Sequence, residues 1–164
     1  MGLLDNESIT RRQMTLFFMI DKSGSMLGSK IGSVNDAIEN VLPIIGEISD
    51  ENPDAEIRVA ALEFSTDTRW LYDEPKEGKD FIWQKVQAEG LTSLGEACRE
   101  LSNKLSRNNG FMSTPSGCYA PAIILLSDGG PTDDFAGGLA TLKSNNWFKS
   151  AIKLAIAIGD DADM

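Results

Sequence analysis

Short apolar runs alternate along the chain with segments in which apolar residues recur at every third or fourth position. The runs predict four strands, at 15–20, 56–64, 121–126 and 153–158, and a short fifth strand at 69–72 that we place at a sheet edge. The recurring segments predict three helices, whose apolar faces carry Val34, Ala37, Ile38, Val41, Ile45 and Ile48, then Leu94, Ala97, Cys98, Leu101 and Leu105, and finally Phe135, Leu139 and Leu142. Buried strands separated by helices predict an α/β fold with a mostly parallel central sheet, one short edge strand and helices on both faces.

Local signals refine the helices. Ser33 and Asp36 resemble a capping box at the start of the first helix, and Pro43 is expected to kink that helix. Gly137 and Gly138 are expected to weaken the third helix.

Composition and charge limit the classes of function. The 164 residues fit one globular domain, which we place at 14–164 behind a polar leader at 1–13. The net charge of −10 argues against nucleic-acid and membrane partners, because phosphate groups and anionic lipids are repelled. The sequence has no histidine, which excludes histidine bases and histidine-ligated zinc.

Cysteine usage and the apolar runs suggest a location. Cys98 and Cys118 are too few for a disulfide framework. We expect reduced thiols, with Cys98 buried on a helix face, and keep a single bridge between the two as the alternative. The run at 14–20 is far too short to span a membrane, and the leader lacks a signal-type apolar stretch. We therefore expect a cytoplasmic protein.

Oxygen-bearing side chains follow two of the predicted buried strands. Asp21, Ser23 and Ser25 alternate along the turn after the first strand, and Asp128 follows the strand at 121–126. The ligand crevice of such folds lies beyond the carboxyl ends of the strands, so these side chains are expected to meet there. Thr92, at the opening of the second helix, can add another hydroxyl. An all-oxygen set suits a hard divalent cation, magnesium first, with manganese or calcium as alternatives.

These segments resemble the von Willebrand factor type A domain and its metal-ion-dependent adhesion site. The family's Asp-x-Ser-x-Ser motif matches Asp21, Ser23 and Ser25, its threonine matches Thr92, and its later aspartate matches Asp128. The resemblance runs from about residue 14 to residue 159. It implies a Rossmann-like fold in which the serines bind the metal directly and the threonine binds it directly in the ligand-competent state. The aspartates act directly or through water.

The resemblance also implies a partner. In the family a carboxylate of a partner protein commonly fills the remaining position on the metal. Within the family the sequence looks most similar to short intracellular bacterial proteins of the tellurium-resistance TerY type, which are encoded with a kinase-like and a phosphatase-like protein. The sequence departs from the family at its end, because the helix, strand and final helix that usually follow the strand at 153–158 are not found in it.

Enzymatic alternatives match the sequence less well. The segment 24–30 fails as a phosphate-binding loop, because three residues rather than four separate Gly24 from Gly28 and Ser29 precedes Lys30. A haloacid-dehalogenase-type phosphatase would need Asp at Ser23. An EF-hand would need Gly at Met26. We therefore predict a binding module rather than an enzyme, with a magnesium-dependent phosphohydrolase in the same crevice as the alternative and a purely structural metal as a third possibility.

Other residues that attract notice have structural explanations. Thr92 can also serve as an N-cap for the helix that begins near Leu94. Asp133 and Asp134 are expected to cap the third helix rather than to line the crevice. The three tryptophans are expected to pack in the core or at a sheet edge.

Overall fold

Strands and helices alternate along the chain in the order that the sequence predicts. The computed structural model describes residues 12–106, 110–112, 118–128 and 135–158. In chain order its elements are β1 (Arg12–Asp21), a short 3-10 helix (Gly24–Met26), α1 (Ser29–Glu51), β2 (Ala55–Phe64), β3 (Thr68–Trp70), β4 (Lys76–Glu77), α2 (Leu94–Lys104), β5 (Ala122–Ser127), α3 (Phe135–Lys143), α4 (Asn146–Ser150) and β6 (Ile152–Ala157).

The strands form one twisted sheet around β1. Their order is β3–β2–β1–β5–β6, with β4 also pairing with β2. β1 is parallel to β2 and β5, and β6 is parallel to β5, whereas β3 and β4 are antiparallel to β2. The predicted mostly parallel α/β sheet is therefore confirmed. The order reverses at β1, since the chain crosses to β2 on one side and reaches β5 on the other, and this reversal fixes where a ligand crevice is expected.

Each face of the sheet has its own apolar core. Alternate residues of β1 point to opposite faces, so Phe17 and Met19 pack with α2 and α3, while Phe18 and Ile20 pack with α1. The apolar face of α1 is built by Ile31, Val34, Ile38, Leu42 and Ile45. The sheet that contains β1 and β5 is therefore covered by helices on both faces.

Several predicted details are wrong, for local reasons. α1 begins at Ser29 with Gly28 at the N-cap position, so Ser33 lies inside the helix and forms no capping box. The helix continues through Pro43 to Glu51, so Pro43 does not end it, and the kink at Pro43 stays a prediction. Two residues, Lys76 and Glu77, add a second short antiparallel strand, which was too brief to show a pattern.

Further observations concern the two ends of the described chain and its cysteines. β1 is described from Arg12 onward, and the domain bounds of 14–164 stay a prediction. β6 is exposed along its whole length and is an edge strand in the described sheet. Neither Cys98 nor Cys118 is in a disulfide, and Cys98 is buried as predicted. Asp133 and Asp134 lie outside the described residues, so their predicted capping role stays a prediction.

Candidate metal site

The carboxyl ends of β1 and β5 place the predicted site residues side by side. Ile20 is paired with Leu126 across the two strands, so Asp21 and Ser127 are the next residues on neighbouring strands. Asp128 follows directly. Asp21 is fully buried and Asp128 nearly so.

The Asp21 carboxylate is fixed by two hydrogen bonds. The backbone N–H of Ser23 donates to Oδ1 at 2.8 Å, and the Ser127 hydroxyl donates to Oδ2 at 2.7 Å. Burial raises the pKa of Asp21 above its usual value, although these hydrogen bonds pull the pKa down; the charge of nearby Asp128 adds a smaller upward contribution. Asp21 is therefore an oriented carboxylate in a place that disfavours an uncompensated negative charge.

Ser23 and Ser25 point their hydroxyls at each other. Their Oγ atoms are 3.0 Å apart, and the backbone between them turns through the short 3-10 helix, which is closed by a bond from Met26 N–H to the Ser23 carbonyl. Ser23 is buried and Ser25 is exposed. Two hydroxyl oxygens at this separation can both contact one small ion.

Asp128 is the least satisfied group of the site. Its Oδ2 accepts a bond from the Lys30 ammonium at 3.3 Å. Its Oδ1 is buried and has no hydrogen-bond partner among the described residues. Because a buried carboxylate oxygen is costly to leave unpaired, this atom indicates a place for a further cation or donor.

The loop that carries Thr92 is clamped against the turn after β1. Gly24 N–H donates to the Gly90 carbonyl at 2.9 Å, and Glu89 N–H donates to the Lys22 carbonyl at 2.7 Å. Gly90 has a positive φ of 80°, and a side chain there would overlap Thr66. Thr92 is buried in this loop, but the N-cap position of α2 is occupied by Ser93, so the N-cap explanation of Thr92 is wrong.

Another buried carboxylate, Glu63 on β2, lies next to the turn. It pairs with Lys22 Nζ at 3.3 Å and with Arg69 Nε at 2.7 Å. The single negative charge of Glu63 is thus shared by two cations, so the buried carboxylate is compensated by these ion pairs.

The geometry brings together most of the set that the sequence predicts. Asp21, Ser23 and Ser25 share one hydrogen-bonded turn, Asp128 is close enough to perturb Asp21, and Thr92 lies in the loop bound to that turn. Sequence reasoning missed Ser127 and Lys30. The sequence could have indicated Ser127, because this residue precedes Asp128 at the end of a parallel strand. Lys30 was considered only as part of a possible phosphate-binding loop.

The donor set fits a hard divalent cation. In the described part of the chain, no three carboxylate, cysteine or histidine side chains form a metal-binding group. The crevice instead offers two carboxylates and neutral hydroxyls, which hard cations such as magnesium accept readily. The unpaired Asp128 Oδ1 and the ammonium drawn to Asp128 Oδ2 both indicate that this crevice attracts positive charge.

The raised pKa of Asp21 leads to a prediction for Asp21→Asn in metal-free buffer. A folded-state pKa above the unfolded value contributes stability at low pH that is lost as the pH rises through the folded pKa. At pH 7 the neutral amide, which places no charge in this buried position, should therefore raise the melting temperature. Thermal melts between pH 4 and 8 check this. A variant that melts below the wild type at pH 7 would contradict it.

The fold and this arrangement define a class of protein: an α/β domain with an oxygen-rich crevice at the carboxyl edge of its sheet. The family model of the von Willebrand factor type A domain matches residues 15–163, and the chain belongs to that family. Human inter-alpha-trypsin inhibitor heavy chain H4 is 30% identical over 134 residues, which are 77% of this chain and 13% of that protein.

Solved structures show the same fold. The ArnB paralog VWA2 from Sulfolobus acidocaldarius is 25% identical, with a TM-score of 0.60 over 92% of this chain and 36% of that one. Proximal thread matrix protein 1 of the mussel byssus, solved with a zinc-occupied MIDAS motif, is 15% identical, with a TM-score of 0.61 over 90% of this chain and 38% of that one. In the part of this chain that is described, no helix is both long and apolar enough to cross a membrane.

Proposed function

We propose that the chain is a metal-dependent protein-binding domain. A divalent cation, magnesium first and manganese or calcium as alternatives, is held by Ser23, Ser25 and Thr92, while Asp21 and Asp128 offset its charge. The observation that carries the proposal is the buried, unpaired Oδ1 of Asp128 beside the hydrogen-bonded turn of Asp21. A divalent cation in a zinc-occupied MIDAS motif of a related fold supports the same chemistry here.

The remaining position on the cation suits a carboxylate of a partner protein. The two aspartates together balance a divalent charge, and hydroxyl ligands add none, so the ion can still attract an anionic oxygen. Leu27 and Leu91, which follow Ser25 and precede Thr92 respectively, are 71% and 58% exposed. Exposed leucines flanking the crevice favour a protein surface as the partner, because they offer apolar area around the acidic contact. The domain would thus bind rather than catalyse.

Selection of peptides tests this function. A random peptide library is panned on the magnesium-loaded protein and eluted with chelator. We expect the enriched peptides to carry an Asp or Glu, and replacement of that residue by Asn or Gln should abolish binding. Enriched peptides without a carboxylate, or peptides that chelator does not release, would contradict the proposal.

The loop position of Thr92 leads to a further prediction. Thr92→Ala should weaken binding of a selected acidic peptide by about tenfold and magnesium binding by only about threefold, because the threonine is expected to ligate the ion mainly when the partner is bound. Calorimetric titration with magnesium and then with peptide measures both. Ser93→Ala removes the neighbouring hydroxyl, which donates to the Thr66 carbonyl, and is the matched control. Equal losses for metal and peptide would argue against a ligand-coupled role.

A cellular setting is proposed from the sequence resemblance. We propose a cytoplasmic bacterial protein acting in a tellurium-resistance or stress-response assembly, with a kinase-like or phosphatase-like protein as the source of the carboxylate. The absence of a nucleic-acid or membrane partner rests on the net charge of −10. Co-purification of such a partner, dependent on magnesium and lost on Ser23→Ala, is the expected result.

A further inference from the structure

The ammonium of Lys30 lies beside Asp128, a buried carboxylate of the candidate metal site. Lys30 Nζ is 3.3 Å from Asp128 Oδ2, and the side chains of Lys30 and Asp128 are only 19% and 6% exposed. The pair joins the first turn of α1 to the end of β5, across 98 positions of sequence. Asp128 thus already has a cation on one oxygen, while its other oxygen lacks a partner among the described residues.

The position of Lys30 in α1 is electrostatically unfavourable without Asp128. The helix begins at Ser29, so Lys30 lies in its first turn, where the helix dipole is positive and cations are disfavoured. No acidic residue occupies that turn. The attraction of Asp128 and the burial of the side-chain stem therefore both favour the inward conformation.

A divalent cation and this ammonium compete for the negative charge of the crevice. Asp21 and Asp128 supply two negative charges, which match one divalent ion. An ammonium left in place would add a third positive charge at the helix N-terminus and would keep Asp128 Oδ2 engaged. Lysine is a single charge on a flexible four-carbon stem, so it can leave towards solvent without moving the helix.

We propose that Lys30 is an internal competitor for the metal: its ammonium pairs with Asp128 Oδ2 and so weakens the attraction of this carboxylate for a divalent cation at Oδ1. This inference rests on the proposed metal site and adds a determinant of its affinity. Lys30 thereby sets the cation concentration at which the site fills, and it keeps the metal-free crevice folded by compensating a buried carboxylate.

Magnesium titration of Lys30→Met tests the proposal. The methionine keeps the length of the side chain and removes its charge, so chelator-stripped Lys30→Met should bind magnesium about tenfold more tightly than the wild type. In chelator, the same variant should melt at a lower temperature, because Asp128 has lost a counter-charge. Magnesium should then raise its melting temperature by more than it raises that of the wild type.

Two matched variants separate competition from other effects. Lys30→Arg keeps the charge and should bind magnesium about as weakly as the wild type. Lys22→Met removes a charge from the same strand end, but its partner is Glu63, so its magnesium affinity should stay within about threefold of the wild-type value. An equal gain in magnesium affinity in Lys22→Met would show that loss of any nearby positive charge has the same effect, and it would overturn the proposal.

The outcomes distinguish this inference from the proposed function. If the wild type binds magnesium and Lys30→Met binds it equally or more weakly, competition is wrong and the metal site stands. If Lys30→Met binds magnesium and the wild type does not, the proposal is supported in its strongest form. If neither binds magnesium, both the metal site and the competition are refuted.

Discussion

Ser23→Ala/Ser25→Ala is expected to abolish saturable magnesium binding, with a loss of affinity of at least about 100-fold. The two hydroxyls lie 3.0 Å apart and are the neutral oxygens of the turn. Their removal leaves the Thr92 hydroxyl and two carboxylates, and one oxygen of each carboxylate is already engaged, Asp21 Oδ2 with Ser127 and Asp128 Oδ2 with Lys30. Loss of supporting groups around a metal commonly costs 10- to 100-fold, and loss of two direct ligands should cost more. Calorimetry on chelator-stripped protein measures the change.

The fold should survive this double substitution. The bond from Ser23 N–H to Asp21 Oδ1 comes from the backbone and is kept. Ser29→Ala/Ser33→Ala, which removes two exposed hydroxyls from α1, is the control and should bind magnesium like the wild type. Retained magnesium binding in Ser23→Ala/Ser25→Ala would show that the metal does not bind at the turn after β1.

Gly138→Ala is expected to destabilise the protein by about 3 kcal/mol, a fall of roughly 10 °C in melting temperature. Gly138 of α3 is buried against α2, where an added Cβ would overlap the Gly95 carbonyl oxygen and lie 2.6 Å from the Gly95 Cα. These are backbone atoms, so the two helices would have to separate and the apolar cluster around Leu94 and Leu142 would loosen. The gain in helix propensity from alanine is smaller than this cost.

Gly32→Ala provides the matched control for Gly138→Ala. Gly32 also lies inside a helix, but nothing stands within 4 Å of its added Cβ. It should therefore stabilise the protein by about 0.5–1 kcal/mol through helix propensity alone. Thermal melts of both variants measure the change in stability. A neutral or stabilising effect of Gly138→Ala would show that α2 and α3 do not pack this closely.

The order of elements could be predicted because strand and helix periods are strong signals. Apolar runs marked β1, β2, β5 and β6 to within a few residues, and the period of Leu94, Ala97 and Leu101 marked α2. The glycines of α3 were predicted to weaken that helix. The structure gives Gly138 a packing role instead, which depends on a neighbour 43 positions away in sequence and is invisible locally.

The candidate site was only partly predictable. Asp21, Ser23 and Ser25 are close in sequence, and parallel strand ends bring Asp128 beside them, so simple topology was sufficient. Lys30 and Ser127 required side-chain geometry, since no spacing rule says that a lysine in the first turn of α1 will reach across to β5. The start of α1 was misplaced for a similar reason, because Gly28, with its φ of 88°, turns the chain earlier than the apolar pattern suggests.

A crystal structure with manganese, located by anomalous scattering, tests the metal site most directly. We predict one peak at the carboxyl ends of β1 and β5, within about 2.5 Å of Ser23 Oγ and Ser25 Oγ, which is the range for direct ligands of hard cations. The distance between Lys30 Nζ and Asp128 Oδ2 should then exceed 3.3 Å. Absence of a peak there at saturating manganese, or a peak on other residues, would contradict the account.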